Sequence, residues 1–394
     1  MAPNYNNLHR VATQAVADGV TPGLVVAAQR AGQVLVHEAF GLRQIDPDAA
    51  ATLDTVYDLA SLTKALSTSL LVMRGVGQGL WDLDRPAGDV LPELATRPQV
   101  TLRRLLSHSA GFPAHRPFFR DVLGPGAQVV SDLGTRNGFP NPPAMVRSRQ
   151  SRPTPHATSD GRERVLALAA AEPQAYEPGS RSIYSDLGFM LLGRLVETGM
   201  GGRLDALAEQ QLFRPAGLAT MGFAGQAELR GRIIAPTERC PVRGRLVCGE
   251  VHDLNAYAMG GVAGHAGLFG TAADVLRLSM WLCAAWRDRS PEGGTPLVTG
   301  EVLRLFWQPA GVPGSTWRLG WDGPAPAGSM AGTRLDRAAV GHLAFTGCSV
   351  WIDPQRETSV VMLSNRVHPT VRDDPRFRAL RPAINDAVLE AIGY

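Results

Sequence analysis

Ser61-Leu62-Thr63-Lys64 sets a serine and a lysine three residues apart at the start of an apolar stretch. Leu66, Leu70, Val72 and Met73 fall on one side of a helix expected from Ser61 to about Gly75, with Gly75, Gly77 and Gly79 as its stop. On such a helix the two side chains share a face, so the amine reaches the hydroxyl. A serine hydroxyl becomes a competent nucleophile when a neighbouring base takes its proton. A lysine fills that role when burial or nearby positive charge lowers its pKa. Of 39 basic residues, Lys64 is the one lysine. Arginine replaces lysine on solvated surfaces but not where a proton must be given up. Codon bias alone also leaves a lone lysine, but its spacing from Ser61 favours the chemical reading.

Outward from this helix, residues 5–18 carry Leu8, Val11, Ala12, Ala15 and Val16 at helical spacing. Two strands follow, about Leu24–Gln29 and Val34–Phe40, joined as an antiparallel hairpin. Residues 114–160 are rich in Pro, Arg, Ser and Gly and read as an insertion, as a lid or as a subunit contact, with the lid favoured by its place between candidate motifs. Helices are expected from Arg164 and over Leu187–Thr198. Short strands are expected at Arg318–Trp321, Ala339–Phe345, Ser349–Asp353 and Ser359–Ser364, and a closing helix over Pro375–Ile392. This order implies an α+β fold in which both chain ends share one antiparallel sheet flanked by helices. The expected division is a sheet domain of residues 1–75 and 255–394 and a mainly helical region of residues 76–254. A cleft between the two is the natural place for a substrate.

The 394 residues are 44% hydrophobic and 19% charged, enough to bury a core and too apolar for wholesale disorder. A net charge of +3 gives no reason to expect a nucleic-acid partner. The longest apolar runs, Val165–Ala171 and Met280–Trp286, are too short for a membrane helix. Met1-Ala2-Pro3-Asn4 begins no secretory signal, so the expectation is a cytoplasmic protein with Cys240, Cys248, Cys283 and Cys348 as free thiols. None of the four forms a C-x-x-C pair, and no metal site is expected.

Two further segments carry polar groups suited to the same chemistry. Tyr184-Ser185-Asp186 precedes the Leu187–Thr198 helix, where Ser185 or Asp186 would serve as an N-cap. Tyr184, flanked by a lysine, would instead share a proton with it. His342 lies on an expected strand, Gly341–Gly347, whose backbone N–H groups suit an oxyanion hole, with the imidazole donating to the substrate edge. His265, among glycines, reads as part of a tight buried turn rather than a base. His252-Asp253 reads as a supporting pair or a helix cap.

Taken in order, Ser61–Lys64, Tyr184-Ser185-Asp186 and His342–Gly347 resemble the serine beta-lactamase-related family of class C beta-lactamases, D-alanyl-D-alanine carboxypeptidases and related esterases. Leu105–Phe112, Gly260–Phe269 and Trp351–Pro354 are similar stretches. The resemblance implies Ser61 as nucleophile, Lys64 as its base partner and Tyr184 as proton relay. It implies an oxyanion hole from the N–H groups of Ser61 and Phe345, and His342 in place of the lysine of K-T-G. The implied reaction is acyl transfer from a small ester or amide through an acyl-enzyme, with no cofactor. Peptidase or penicillin-binding activity is the alternative, and a non-catalytic binding protein on the same scaffold a third. Asp186 stands where many members have Asn, and Leu343 where they have Thr. Both departures bear on the substrate, and the hydroxyl missing at Leu343, with a histidine mostly neutral at pH 7, weakens recognition of a substrate carboxylate.

Overall fold

In the computed structural model, residues 4–123, 135–136, 139–140, 159–226, 229–290 and 294–394 are described. Strand β1 (Gly23–Arg30) is buried from end to end but for Arg30, because both of its faces are covered. Leu24, Val26 and Ala28 point to one side, against helix α1 (Asn6–Ala17). Val25 and Ala27 point to the other, into the main core. The period of two sends alternate residues to opposite layers.

β1 pairs with β2 (Gln33–Gln44), which continues to β3 (Ala49–Ala50). The chain returns to this sheet only near its end, in β4 (Val340–Leu343), β5 (Ser349–Asp353) and β6 (Thr358–Ser364). The order is β4-β5-β6-β1-β2-β3, and all neighbours are antiparallel. The α+β sheet built from both chain ends is therefore present. The closing helix α5 (Pro375–Ala391) packs beside α1 through Leu380, Ile384 and Val388. On the opposite face lies α4 (Ala272–Trp286), followed by the helical middle of the chain.

The expected helix after Ser61 begins as a wide π-helical turn, Lys64–Ser69, and becomes α-helical in α2 (Leu70–Gly77). Gly75 and Gly77 do not stop it. A Cβ on Gly75 would lie 2.1 Å from the Trp81 ring, so that glycine makes room for packing, and the helix runs through Gly77 to its C-cap Gln78, after which Gly79 turns the chain at φ +72°. The second apolar helix is α3 (Asp186–Met200). Arg318–Trp321 is a tight turn and not a strand: Arg318 N–H donates to the Trp321 carbonyl at 2.8 Å, with Gly320 at φ +80°. Most of the expected insertion at 114–160 lies outside the described residues. Among the described residues, no helix is long and apolar enough to cross a membrane.

Candidate active site

Ser61 sits on a sharp turn between the short strand Tyr57–Asp58 and the π-helical turn. That strand pairs with Leu268–Gly270, which also pairs with Gly222–Phe223. Ala60, immediately before Ser61, takes φ +44°, a conformation that costs a non-glycine residue about 1–3 kcal/mol unless its surroundings impose it. Here Asp58 Oδ1 accepts the Ala60 N–H at 2.8 Å. Thr63 Oγ1 donates to the Ala60 carbonyl at 2.6 Å.

Lys64 is fully buried. Its Nζ lies 3.2 Å from Ser61 Oγ, 3.1 Å from the His265 carbonyl and 2.8 Å from Asp186 Oδ1. The Tyr184 ring centroid is 4.8 Å away. The His265 carbonyl reaches Lys64 because two glycines let the backbones touch. A Cβ on Gly264 would stand 2.1 Å from the Phe189 carbonyl and 2.8 Å from Gly193 N. Thr68 Oγ1 fixes the same loop by donating to the Gly264 carbonyl at 2.7 Å.

The Tyr184–Asp186 segment is clamped by the 107–114 loop. Ser185 N–H donates to His108 Nδ1 at 3.1 Å and Ser185 Oγ to the Pro113 carbonyl at 2.7 Å. Asp186 N–H donates to the Ala114 carbonyl at 3.0 Å. Ser185 occupies the N-cap position of α3, but its side chain is spent on Pro113 and gives the helix no cap bond. Because His108 Nδ1 accepts, its proton resides on Nε2. The ring packs between Tyr184 (4.7 Å), Phe189 (5.2 Å) and Trp317 (4.3 Å).

Burial would pull the Lys64 ammonium below its ordinary value, but the Asp186 carboxylate and Tyr184 outweigh it, and the pKa is raised. Burial would push Asp186 up, yet Lys64 and the His115 bond bring it well below the usual carboxylate range. The pair therefore rests as ammonium and carboxylate. Burial raises the Tyr184 phenol, and Lys64 only partly offsets this. His108 is pushed well down by burial and by Lys64, so it is neutral. The second oxygen of Asp186 faces His115 Nδ1 at 3.4 Å, on a ring whose side chain is 34% exposed. Nearby, Asp253 Oδ1 meets His265 Nε2 at 2.9 Å and also accepts the Ala256 N–H at 2.7 Å. Burial would raise Asp253, but His265 holds it at about 2.

Across from these groups, His342 is buried on β4, 6.0 Å from the Tyr184 ring and 5.6 Å from Trp317. Burial and then Lys64 lower its pKa to about 3. Its Nδ1 lies 2.8 Å from the Leu343 carbonyl, which only accepts, so the one proton of the neutral ring resides there. The expected donor towards a substrate edge is thus already spent, and Nε2 is an acceptor. Phe345 follows β4. Its ring stacks on His252 at 5.6 Å, and its carbonyl accepts from Arg366 Nε at 2.8 Å.

Of the residues singled out from sequence, Ser61, Lys64, Tyr184 and Asp186 converge on one point. His342 lines the same pocket through Tyr184 and Trp317. Phe345 turns its ring away, towards His252. His108, His115, Trp317 and the Asp253–His265 pair were not singled out as members of the site. His265 does lie in a buried turn, and Asp253 is a helix cap, but its partner is His265 and not the expected His252, which faces Glu238 at 3.2 Å.

The sequence profile of the beta-lactamase family matches residues 8–383. The chain belongs to the beta-lactamase family. It is a serine hydrolase. It is 29% identical to a putative D-alanyl-D-alanine carboxypeptidase of Escherichia coli K12, over 93% of this chain and 83% of the relative. An N-acetylmuramyl-L-alanine amidase of Bacillus subtilis is 27% identical, over 89% of this chain and 79% of that one. Among solved structures, the fold matches EstCE1, a hydrolase with promiscuous acyltransferase activity, at TM-score 0.68 and 22% identity, over 97% of each chain.

Proposed function

We propose that Ser61 is the nucleophile of a hydrolase acting on a small ester or amide through an acyl-enzyme. The observation that carries this is Lys64 Nζ, buried and 3.2 Å from Ser61 Oγ, with its charge state governed by Asp186 at 2.8 Å. In the reacting form Lys64 is neutral. It takes the proton of Ser61 as Oγ bonds to the substrate carbonyl carbon. The backbone N–H groups of Ser61 and Phe345 are assigned to the carbonyl oxygen as it gains charge. Tyr184 donates its proton to the leaving group and is reprotonated from Lys64. Water then enters by the reverse path and releases the acid. His342 lines the substrate edge.

The substrate cleft is assigned to the junction of the sheet portion (1–75 and 255–394) with the mainly helical portion (76–254). The compartment is assigned to the cytoplasm, where the free thiols Cys240, Cys248, Cys283 and Cys348 stay reduced. The names of the E. coli and B. subtilis relatives favour a second reading, an amide derived from cell-wall peptide.

Intact-protein mass spectrometry after incubation with a fluorophosphonate, and separately with a penicillin, tests the assignment. One phosphonate adduct that disappears in Ser61→Ala is the expected result. A penicillin adduct in addition would favour the cell-wall reading. Labelling that persists in Ser61→Ala would refute Ser61 as nucleophile.

A further inference from the structure

Asp58 is a buried carboxyl group that the proposed chemistry does not use, with the His252 side chain near enough to act on it electrostatically. Both of its oxygens are engaged by backbone. Oδ1 accepts the N–H of Ala60 at 2.8 Å, and Oδ2 accepts the N–H of His252 at 2.7 Å. Its own carbonyl accepts Thr346 Oγ1 at 2.8 Å. These three contacts reach three separate segments. Ala60 is the left-handed residue that aims Ser61 into the pocket. Thr346 follows Phe345, whose N–H is assigned to the oxyanion. His252 stacks its ring on Phe345 at 5.6 Å.

Burial pushes the Asp58 carboxyl up, and the backbone N–H groups of His252 and Ala60 work against that shift by favouring the ionised form. Two N–H groups approach from different sides, and only a carboxylate offers an acceptor on both oxygens. Asparagine would set its amide N–H₂ against one of them.

We propose that Asp58 is the positioning residue of the oxyanion pocket, tying the turn that carries Ser61 to the strand end that carries Phe345. This rests on the assignment of Ser61 and Phe345 above. The two donors belong to segments some 280 residues apart in sequence, and Asp58 reaches the flank of each by a different route. Its carboxylate accepts the Ala60 N–H and its main-chain carbonyl accepts Thr346 Oγ1, so Asp58→Asn tests the first tie and the Thr346 variants test the second. Loss of either tie lets one donor drift from the developing oxyanion. A misplacement of about 1 Å costs roughly 10²-fold in rate.

The test is the rate of phosphonylation of Ser61 in the full chain, followed by intact mass, because the phosphonyl oxygen occupies the same pocket. Asp58→Asn and Thr346→Val are each expected to label roughly 10- to 100-fold more slowly, yet to reach one adduct per chain. Thr346→Ser, which keeps the hydroxyl, is expected to return to within about three-fold of wild type. Should Asp58→Asn fail to fold, the two Thr346 variants decide the main-chain tie, and wild-type labelling in Thr346→Val then overturns the proposal. A structural role alone would lower the final amplitude and leave the rate constant of the folded fraction unchanged, and that result overturns the proposal. Wild-type rates in the variants also overturn it while leaving Ser61 as nucleophile intact. A wild type that takes no label at Ser61 removes both readings.

Discussion

Replacing Asp186 with Asn leaves shape nearly constant and removes the one anion bonded to Lys64. At 2.8 Å the gross attraction is about 6 kcal/mol for an effective dielectric near 20. The remaining partners, Ser61 Oγ and the His265 carbonyl, are neutral. Stranding a buried charge in this way typically costs about 3–5 kcal/mol. In wild type the Lys64 pKa is raised above its unfolded value, so its contribution is complete at neutral pH and is lost only when alkaline pH removes its proton. Asp186 is depressed, so its contribution is present above the unfolded carboxylate value and is lost as pH falls through the folded one. In Asp186→Asn the sign for Lys64 reverses. Burial without an anion leaves the folded chain binding the Lys64 proton less tightly than the unfolded chain, and stability then rises with pH. Urea unfolding of wild type, Asp186→Asn and Asp186→Asn/Lys64→Met between pH 6 and 9 measures this. The single variant is expected to lose about 3–5 kcal/mol at pH 6 and progressively less towards pH 9, while the double variant shows no such slope. The rising limb of kcat/KM should move towards acid, because neutral Lys64 is reached sooner. An unmoved limb together with a flat stability difference would refute the argument that Asp186 sets the charge of Lys64.

Two further outcomes follow from the β4 side of the pocket. Because His342 is held at about 3, its Cε1–H resonance should stay flat between pH 5 and 9, and its contribution to stability should be lost only as pH falls from about 6.5 towards 3; a titration near 6 to 7 would contradict the burial argument. With that histidine neutral, Lys64 paired and Arg366 and Arg381 committed to the Phe345 and Ala344 carbonyls, p-nitrophenyl acetate should exceed mono-p-nitrophenyl succinate by roughly ten-fold or more in kcat/KM. Equal or reversed rates would show that a cation does meet the substrate carboxylate.

The parts of this molecule legible in sequence are those in which one short segment carries its own evidence. The spacing of Ser61 and Lys64 places two groups on one helix face without help from elsewhere. The β1 segment reads as a strand, and a sheet that takes strands from both chain ends follows from the order of elements, whereas the choice of β6 as its neighbour is visible only in the structure. What was not legible depends on distant segments meeting. His108 lies 77 residues from the Ser185 N–H it accepts, and His115 lies 71 from Asp186. Glycine was ambiguous for the same reason. Gly75 reads as a stop, yet its missing Cβ is filled by Trp81. At Arg318–Trp321 the alternation suggested a strand, but Gly320 closes a turn that bonds back within four residues.

The charge state of Lys64 is set by its neighbours because the side chain has no exposed surface. Two of them are held in place independently of its protonation. Ser61 is fixed by the Ala60 turn, and the His265 carbonyl by the contact of Gly264 with Gly193 and by Thr68. The aromatic wall of Tyr184, Phe189, His108 and Trp317 adds no charge, since burial keeps His108 neutral. That leaves Asp186, ahead of the Tyr184 phenol, as the main group whose ionisation acts on the amine. Its other oxygen meets His115, which reaches solvent. An asparagine at 186 would hold the lysine by geometry alone. The aspartate adds a charge, and its second oxygen faces the half-buried His115 at 3.4 Å.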